Sequence, residues 1–200
     1  MRLLAILSLC ATTAGAQSSL NSGVSYDREE NFHRGEWELG GGAAVMFSPF
    51  GATRNRPTHN YAVGILQAGW MLSDINEWGA ARGNFELVGE GFGGGVFVGR
   101  GNYVSGFTLW LRYNFIQPGW KWVPYAQIGA GGTATDIDQR IVGQVFQFNL
   151  DAAVGTRYFI KPNVSINAEY RYQHISNANI GPNNLGINAQ GAMLGASYFF

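Results

Sequence analysis

Polar and apolar residues alternate with a period of two along three stretches of the chain. Val164, Ile166, Ala168, Tyr170 and Tyr172 fall on one side of the first, and Ser165, Asn167, Glu169, Arg171 and Gln173 on the other. Phe146, Phe148, Leu150, Ala152, Val154 and Tyr158 likewise oppose Gln147, Asn149, Asp151 and Arg157. Tyr103, Phe107, Leu109, Leu111, Tyr113 and Phe115 oppose Thr108, Arg112 and Asn114. Successive side chains of a strand leave opposite faces, so each stretch predicts a β-strand with one greasy and one polar face. The whole chain yields eight candidate strands, at roughly 35–48, 58–73, 84–99, 102–116, 123–135, 143–160, 163–177 and 187–200. The breaks between them are rich in Gly, Pro, Asn or Asp. No segment carries a 3.6-residue period with caps, so no helix is expected.

The polar faces hold both signs of charge. Asp151 and Glu169, with Arg112, Arg157 and Arg171, predict a paired ionic network inside a narrow barrel, because buried charges need partners. A soluble lipid-carrying barrel would show the reverse arrangement, and periodicity alone does not say which face is inside. The ionic faces and the many aromatics favour the membrane reading. In lipid every backbone group must be satisfied, so the sheet has to close. The expected fold class is all-β: an eight-stranded antiparallel up-and-down transmembrane barrel. Its last strand, Gln190, Ala192, Leu194, Ala196, Tyr198 and Phe200, ends in an aromatic residue. That ending resembles the assembly signal of bacterial outer-membrane barrels.

Composition agrees. Charged residues make up 13% of the 200-residue chain, against about 25% in a typical soluble domain. Aromatics reach 14%, and no apolar run is long enough for a spanning helix. A net charge of zero argues against a nucleic-acid partner. Met1-Arg2, the apolar run Leu3 to Leu9, and Ala14-Gly15-Ala16 before Gln17 read as a secretory signal peptide. Leu9 is too bulky for a lipoprotein site at Cys10, the one cysteine. The expected organisation is therefore 1–16 signal peptide, 17–34 N-terminal segment and 35–200 barrel in the bacterial outer membrane, with no disulfide.

One segment invites a chemical reading. Tyr172-Gln173-His174-Ile175-Ser176-Asn177-Ala178-Asn179 is followed by Gly181-Pro182-Asn183-Asn184-Leu185-Gly186-Ile187-Asn188. His174 and Ser176 are two apart, so they share a face, and parity makes it the lipid-facing one. An imidazole and a hydroxyl lose water there and gain little. If both chain ends lie in the periplasm, eleven steps of about 3.3 Å from Asn163 bring His174 close to the height of the apolar band. That is the level of the outer leaflet, where the ester bonds of lipopolysaccharide lie.

From His174 to Asn188 the sequence resembles the lipid A 3-O-deacylase (PagL) family, eight-stranded outer-membrane esterases. The likeness extends more weakly through Pro124-Tyr125-Ala126-Gln127-Ile128-Gly129-Ala130-Gly131 and the sixth strand. It implies Ser176 as nucleophile and His174 as general base. It implies oxyanion donors from the Asn179 backbone N–H and the Asn183 side chain, with Asn177 ordering the loop. Lipid A and membrane lipids would be the partners, a homodimer is compatible, and neither cofactor nor metal is expected. Asn188 departs from the family, which has a glutamate there. An amide can orient an imidazole but cannot stabilise the imidazolium by charge. Glu169 is no obvious substitute, since its parity points it inward. The alternative is a structural or adhesive barrel with a degenerate site.

Other features have plainer readings. Asn184 and Gly186 suit left-handed turns. Gly89, Gly91 and Gly94 fit a G-x-G-x-x-G spacing, but no helix follows, so bends in a strand explain them better than a dinucleotide. His33, His59 and His174 lack metal-ligand spacing. Trp37, Trp70, Trp110, Trp120 and Trp122 read as girdle, core or turn residues. Asp27 to Glu30 reads as a solvated segment.

Overall fold

The structure, a computed structural model, describes residues 28–51 and 56–200. The expected signal peptide, Cys10, Gln17 and Asp27 lie outside the described residues. Eight strands follow in order: β1 Trp37–Phe47, β2 Asn60–Met71, β3 Gly83–Val98, β4 Tyr103–Phe115, β5 Trp122–Thr135, β6 Phe146–Lys161, β7 Val164–Ser176 and β8 Ile187–Phe199. Each pairs antiparallel with the next, and β1 pairs with β8, so the barrel is closed. Closure satisfies the ladder groups that an open edge would leave bare.

The orientation of the faces excludes the soluble lipid carrier. Leu66, Phe107, Ile128, Leu150 and Leu194 point outward, and Leu66 is 75% exposed. Aromatic pairs ring the terminal end, among them Trp37 with Trp70, Trp122 with Tyr158 and Tyr198 with Phe200. Phe47 with Phe97 and Phe146 with Phe148 ring the far end. An apolar wall between two aromatic rings is the exterior of a membrane barrel.

The interior is filled rather than hollow. Arg157 bonds Glu38 and, at 3.0 Å, Glu86. Arg171 grips both oxygens of Glu90 at 2.7 Å and also meets Glu169. Arg112 donates to Gln127 at 2.6 Å and stands 3.5 Å from Glu38 and Glu86. The three arginines and Glu169 lie inside, as their parity predicts. Asp151 is also inside but meets no arginine: it accepts from Thr108 at 2.9 Å and Asn149 at 2.5 Å. Glu38, Glu86 and Glu90 supply the charges that alternation on three strands alone did not reveal.

Two local expectations change. Residues Arg28–Phe32 form a 3-10 turn rather than a purely solvated run. Phe32 is fully buried against Phe159 and Phe199 at the terminal mouth, and Glu29 bonds Arg82 at 2.7 Å. A four-residue helix, α1 (Gln139–Val142), occupies the β5–β6 loop and delays the start of β6 to Phe146. The Asp138 side chain accepts from the Arg140 N–H at its start, and Gly143 ends it in the left-handed region. Gly94 sits in β3 where a Cβ would come within 1.9 Å of the Ala62 carbonyl oxygen, which accounts for glycine by close strand approach.

Candidate functional site

Strand parity brings the site together on the outer wall. The even-numbered residues of β7 and β8 face outward, and the register sets His174 directly opposite Asn188. The His174 Nδ1–H donates to Asn188 Oδ1 at 2.5 Å. The Tyr172 hydroxyl donates to the same oxygen at 3.1 Å. With that oxygen as the acceptor, the shared proton sits on Nδ1, and Nε2 points away from Asn188. No carboxylate contacts His174 among the described residues. Glu169 points inward and accepts from Tyr125 and Gln127, each at 2.9 Å.

Ser176 is the last residue of β7, half-buried and opposite Phe148 of β6. Its hydroxyl makes no hydrogen bond among the described residues, to His174 or otherwise. Gly186 ties the two side chains to one spot. A Cβ at Gly186 would lie 3.2 Å from His174 Cε1 and 3.5 Å from Ser176 Cβ. Its φ of 66° is the left-handed region expected of it. The glycine therefore serves the turn and also leaves room beside the imidazole edge.

The loop from Asn177 to Gly186 is built around Asn177, which is fully buried. Its amide donates to the carbonyls of Val142 at 2.9 Å and Asn183 at 2.7 Å. Its Oδ1 accepts from the Asn179 N–H, and its own N–H goes to Asn184 Oδ1, both at 2.9 Å. Asn184 in turn donates to Asn179 Oδ1 at 2.8 Å. Ala178 and Asn179 are consecutive left-handed residues, with φ of 53° and 62°. That conformation is uncommon outside glycine and costs an alanine about 1 kcal/mol. The Asn179 N–H is thus committed within the loop, whereas the exposed Asn183 side chain and the Ala178 N–H have no partner among the described residues.

Neighbouring loops hold this one from both sides. The Leu185 N–H donates to the Ile141 carbonyl of α1 at 3.0 Å. α1 itself is anchored where Arg140 bonds Asp138 and holds that carboxyl well below the usual carboxylate range. From the β1–β2 loop, the Phe50 N–H donates to the Asn188 carbonyl at 3.1 Å, and its ring packs on Tyr172 at 5.7 Å. Arg56 Nη1 donates to the carbonyls of Leu185 and, at 3.2 Å, Gly186. The parity of Tyr172 could have flagged it. Nothing local could have flagged Phe50 or Arg56, which reach β8 only because the sheet closes.

A groove of about 530 Å³ runs down the outer wall from Tyr172 and Tyr170, past Ala152, Ala126 and Ile128 to Tyr113. Its lining is almost wholly apolar.

Comparison with solved structures gives the fold. Neisserial surface protein A (NspA) aligns with a TM-score of 0.59 at 14% identity, over 82% of this chain and 97% of that one. The outer membrane enzyme PagL aligns with a TM-score of 0.54 at 17% identity, over 80% and 97%. The N-terminal β-barrel domain of Pseudomonas aeruginosa OprF aligns with a TM-score of 0.56 at 17% identity, over 84% and 98%. No curated protein matches the sequence. The model of the lipid A 3-O-deacylase (PagL) family matches residues 11–197, almost the whole length. The chain is an outer-membrane β-barrel, and it belongs to the lipid A 3-O-deacylase (PagL) family.

Proposed function

We propose that this barrel is an ester hydrolase that removes an acyl chain from lipid A in the outer leaflet. The observation that carries the reading is the Nδ1–H bond from His174 to Asn188, beside Ser176 on the lipid-facing wall. It engages Nδ1 and turns Nε2 away from Asn188, leaving Nε2 as the ring nitrogen that can take a proton from the serine. Ser176 Oγ attacks the ester carbonyl while Nε2 takes its proton. The imidazolium returns that proton to the sugar oxygen as the carbon–oxygen bond breaks. Water then attacks the acyl-serine, again through His174, and frees the fatty acid.

No hydrogen bond joins the Ser176 hydroxyl and the imidazole in this structure. Catalytic hydrogen bonds often tighten only when substrate binds, and a serine side chain changes rotamer in picoseconds to nanoseconds. The uncommitted donors, the Asn183 amide and the Ala178 N–H, are suited to the oxyanion. The Asn179 N–H would first have to leave Asn177. The groove below Tyr172 has the chemistry of an acyl chain.

The test is to incubate membranes carrying the protein with lipopolysaccharide and weigh the lipid A. Loss of one acyl chain, abolished by Ser176→Ala, supports the reading. Unchanged mass with the native chain rejects it and favours a structural or adhesive barrel. The observation behind that second reading is Asn188, an amide where the family carries a carboxylate. The same fold also serves a Neisserial surface protein and the attachment invasion locus protein of Yersinia pestis.

A further inference from the structure

Arg56 has no role in the chemistry above, yet the fold brings it to the edge of the site. Its Nη1 is held by the Leu185 and Gly186 carbonyls. Gly186 is the residue that abuts both His174 Cε1 and Ser176 Cβ. Arg112, Arg157 and Arg171 inside the barrel, and Arg82 and Arg140 in the loops, each meet a carboxylate. Arg56 meets none among the described residues. A guanidinium has five N–H donors in a planar fork. Here Nε and Nη2 carry donors that no acceptor takes among the described residues.

We propose that Arg56 forms an anion subsite for a phosphomonoester on the sugar headgroup of the lipid whose ester meets Ser176. The inference rests on the esterase reading for that lipid, but not on turnover. The open edge of a guanidinium matches two phosphate oxygens at once, and the charge assists both bonds. The two backbone carbonyls already immobilise the side chain, which lowers the entropy cost of binding. A phosphate carried by the same sugar as the ester, or by the sugar next to it, spans the short distance from Gly186 to the serine. The Tyr172 hydroxyl and the Asn183 and Asn188 amides of the site carry no charge. Arg56 would therefore make the site prefer a phosphorylated headgroup.

The test uses Ser176→Ala protein in detergent micelles, so that binding is read without hydrolysis. Three probes are titrated: phosphorylated lipid A, the same lipid A after its phosphates are removed, and inorganic phosphate alone. Introducing Arg56→Gln should weaken binding of the phosphorylated lipid about tenfold, the size of one charge-assisted contact. Binding of the dephosphorylated lipid should not change. Arg100→Gln, at the β3–β4 turn across the barrel, should alter neither, and millimolar inorganic phosphate should not displace the lipid. Equal weakening on both lipids would make Arg56 only a loop clamp and overturn the proposal. So would no weakening on either, or full displacement by inorganic phosphate. If the native chain hydrolyses neither lipid while the Arg56-dependent preference persists, the esterase reading falls and the subsite stands.

Discussion

Strand β7 carries polar groups on both faces, and the two faces treat them differently. Inside, Glu169 and Arg171 are bonded to each other and to Glu90, Tyr125 and Gln127. Outside, His174 has one neutral amide partner and the Ser176 hydroxyl has none among the described residues. The inner groups are compensated charges that fill space and fix the barrel. The outer groups lie on the lipid side of the wall, where polarity costs free energy. Inside, the partners account for the residues. Outside, no such set of partners accounts for them, and the proposed esterase chemistry would.

Four substitutions separate those accounts. Ser176→Ala should lower acyl release at least about a thousandfold and leave the barrel as stable as before. Residual release within tenfold of native, read by mass spectrometry, would remove Ser176 from the mechanism. Arg157→Leu leaves Glu38 and Glu86 facing each other without their guanidinium, and should destabilise the barrel by about 3–5 kcal/mol. Urea unfolding in micelles measures this, while release per folded molecule should hold. A large loss of turnover without loss of stability would show that the two faces are coupled.

The other two act on the outer face alone. Asn188→Glu supplies the charge that the amide lacks. Replacing the triad aspartate by asparagine costs about 10⁴ in turnover in the serine-protease example, so a gain of about a hundredfold is expected here. An unchanged rate would mean that the imidazolium needs no carboxylate in this site. Tyr172→Phe removes one neutral hydrogen bond from Asn188 Oδ1, worth about 0.5–1.5 kcal/mol. The turnover number should fall about three- to tenfold with KM unchanged, and a change in KM alone would assign Tyr172 to substrate contact instead.

The barrel was legible in the sequence because a period of two is a property of the strand itself. The eight strands appear within a few residues of the expected bounds, and the outward parity of His174 and Ser176 is as expected. The departures are at termini and loops. The 3-10 turn at Arg28–Phe32 depends on Phe32 finding Phe159 and Phe199, and α1 is too short to show a period. The partners of the interior arginines were legible only in part. Glu38, Glu86 and Glu90 lie on strands whose many glycines blur the alternation.

By itself the sequence determined which residues share a face of each clearly alternating strand, since that follows from counting along the strand. Only the tertiary structure decided which residues meet. It put Asn188 on the His174 ring, committed the Asn179 N–H to Asn177, and brought Arg56 and Phe50 against β8. The first depends on the β7–β8 register and the second on the turn at Ala178 and Asn179. The last two need closure between β1 and β8, which joins positions more than a hundred residues apart and leaves no trace in local periodicity.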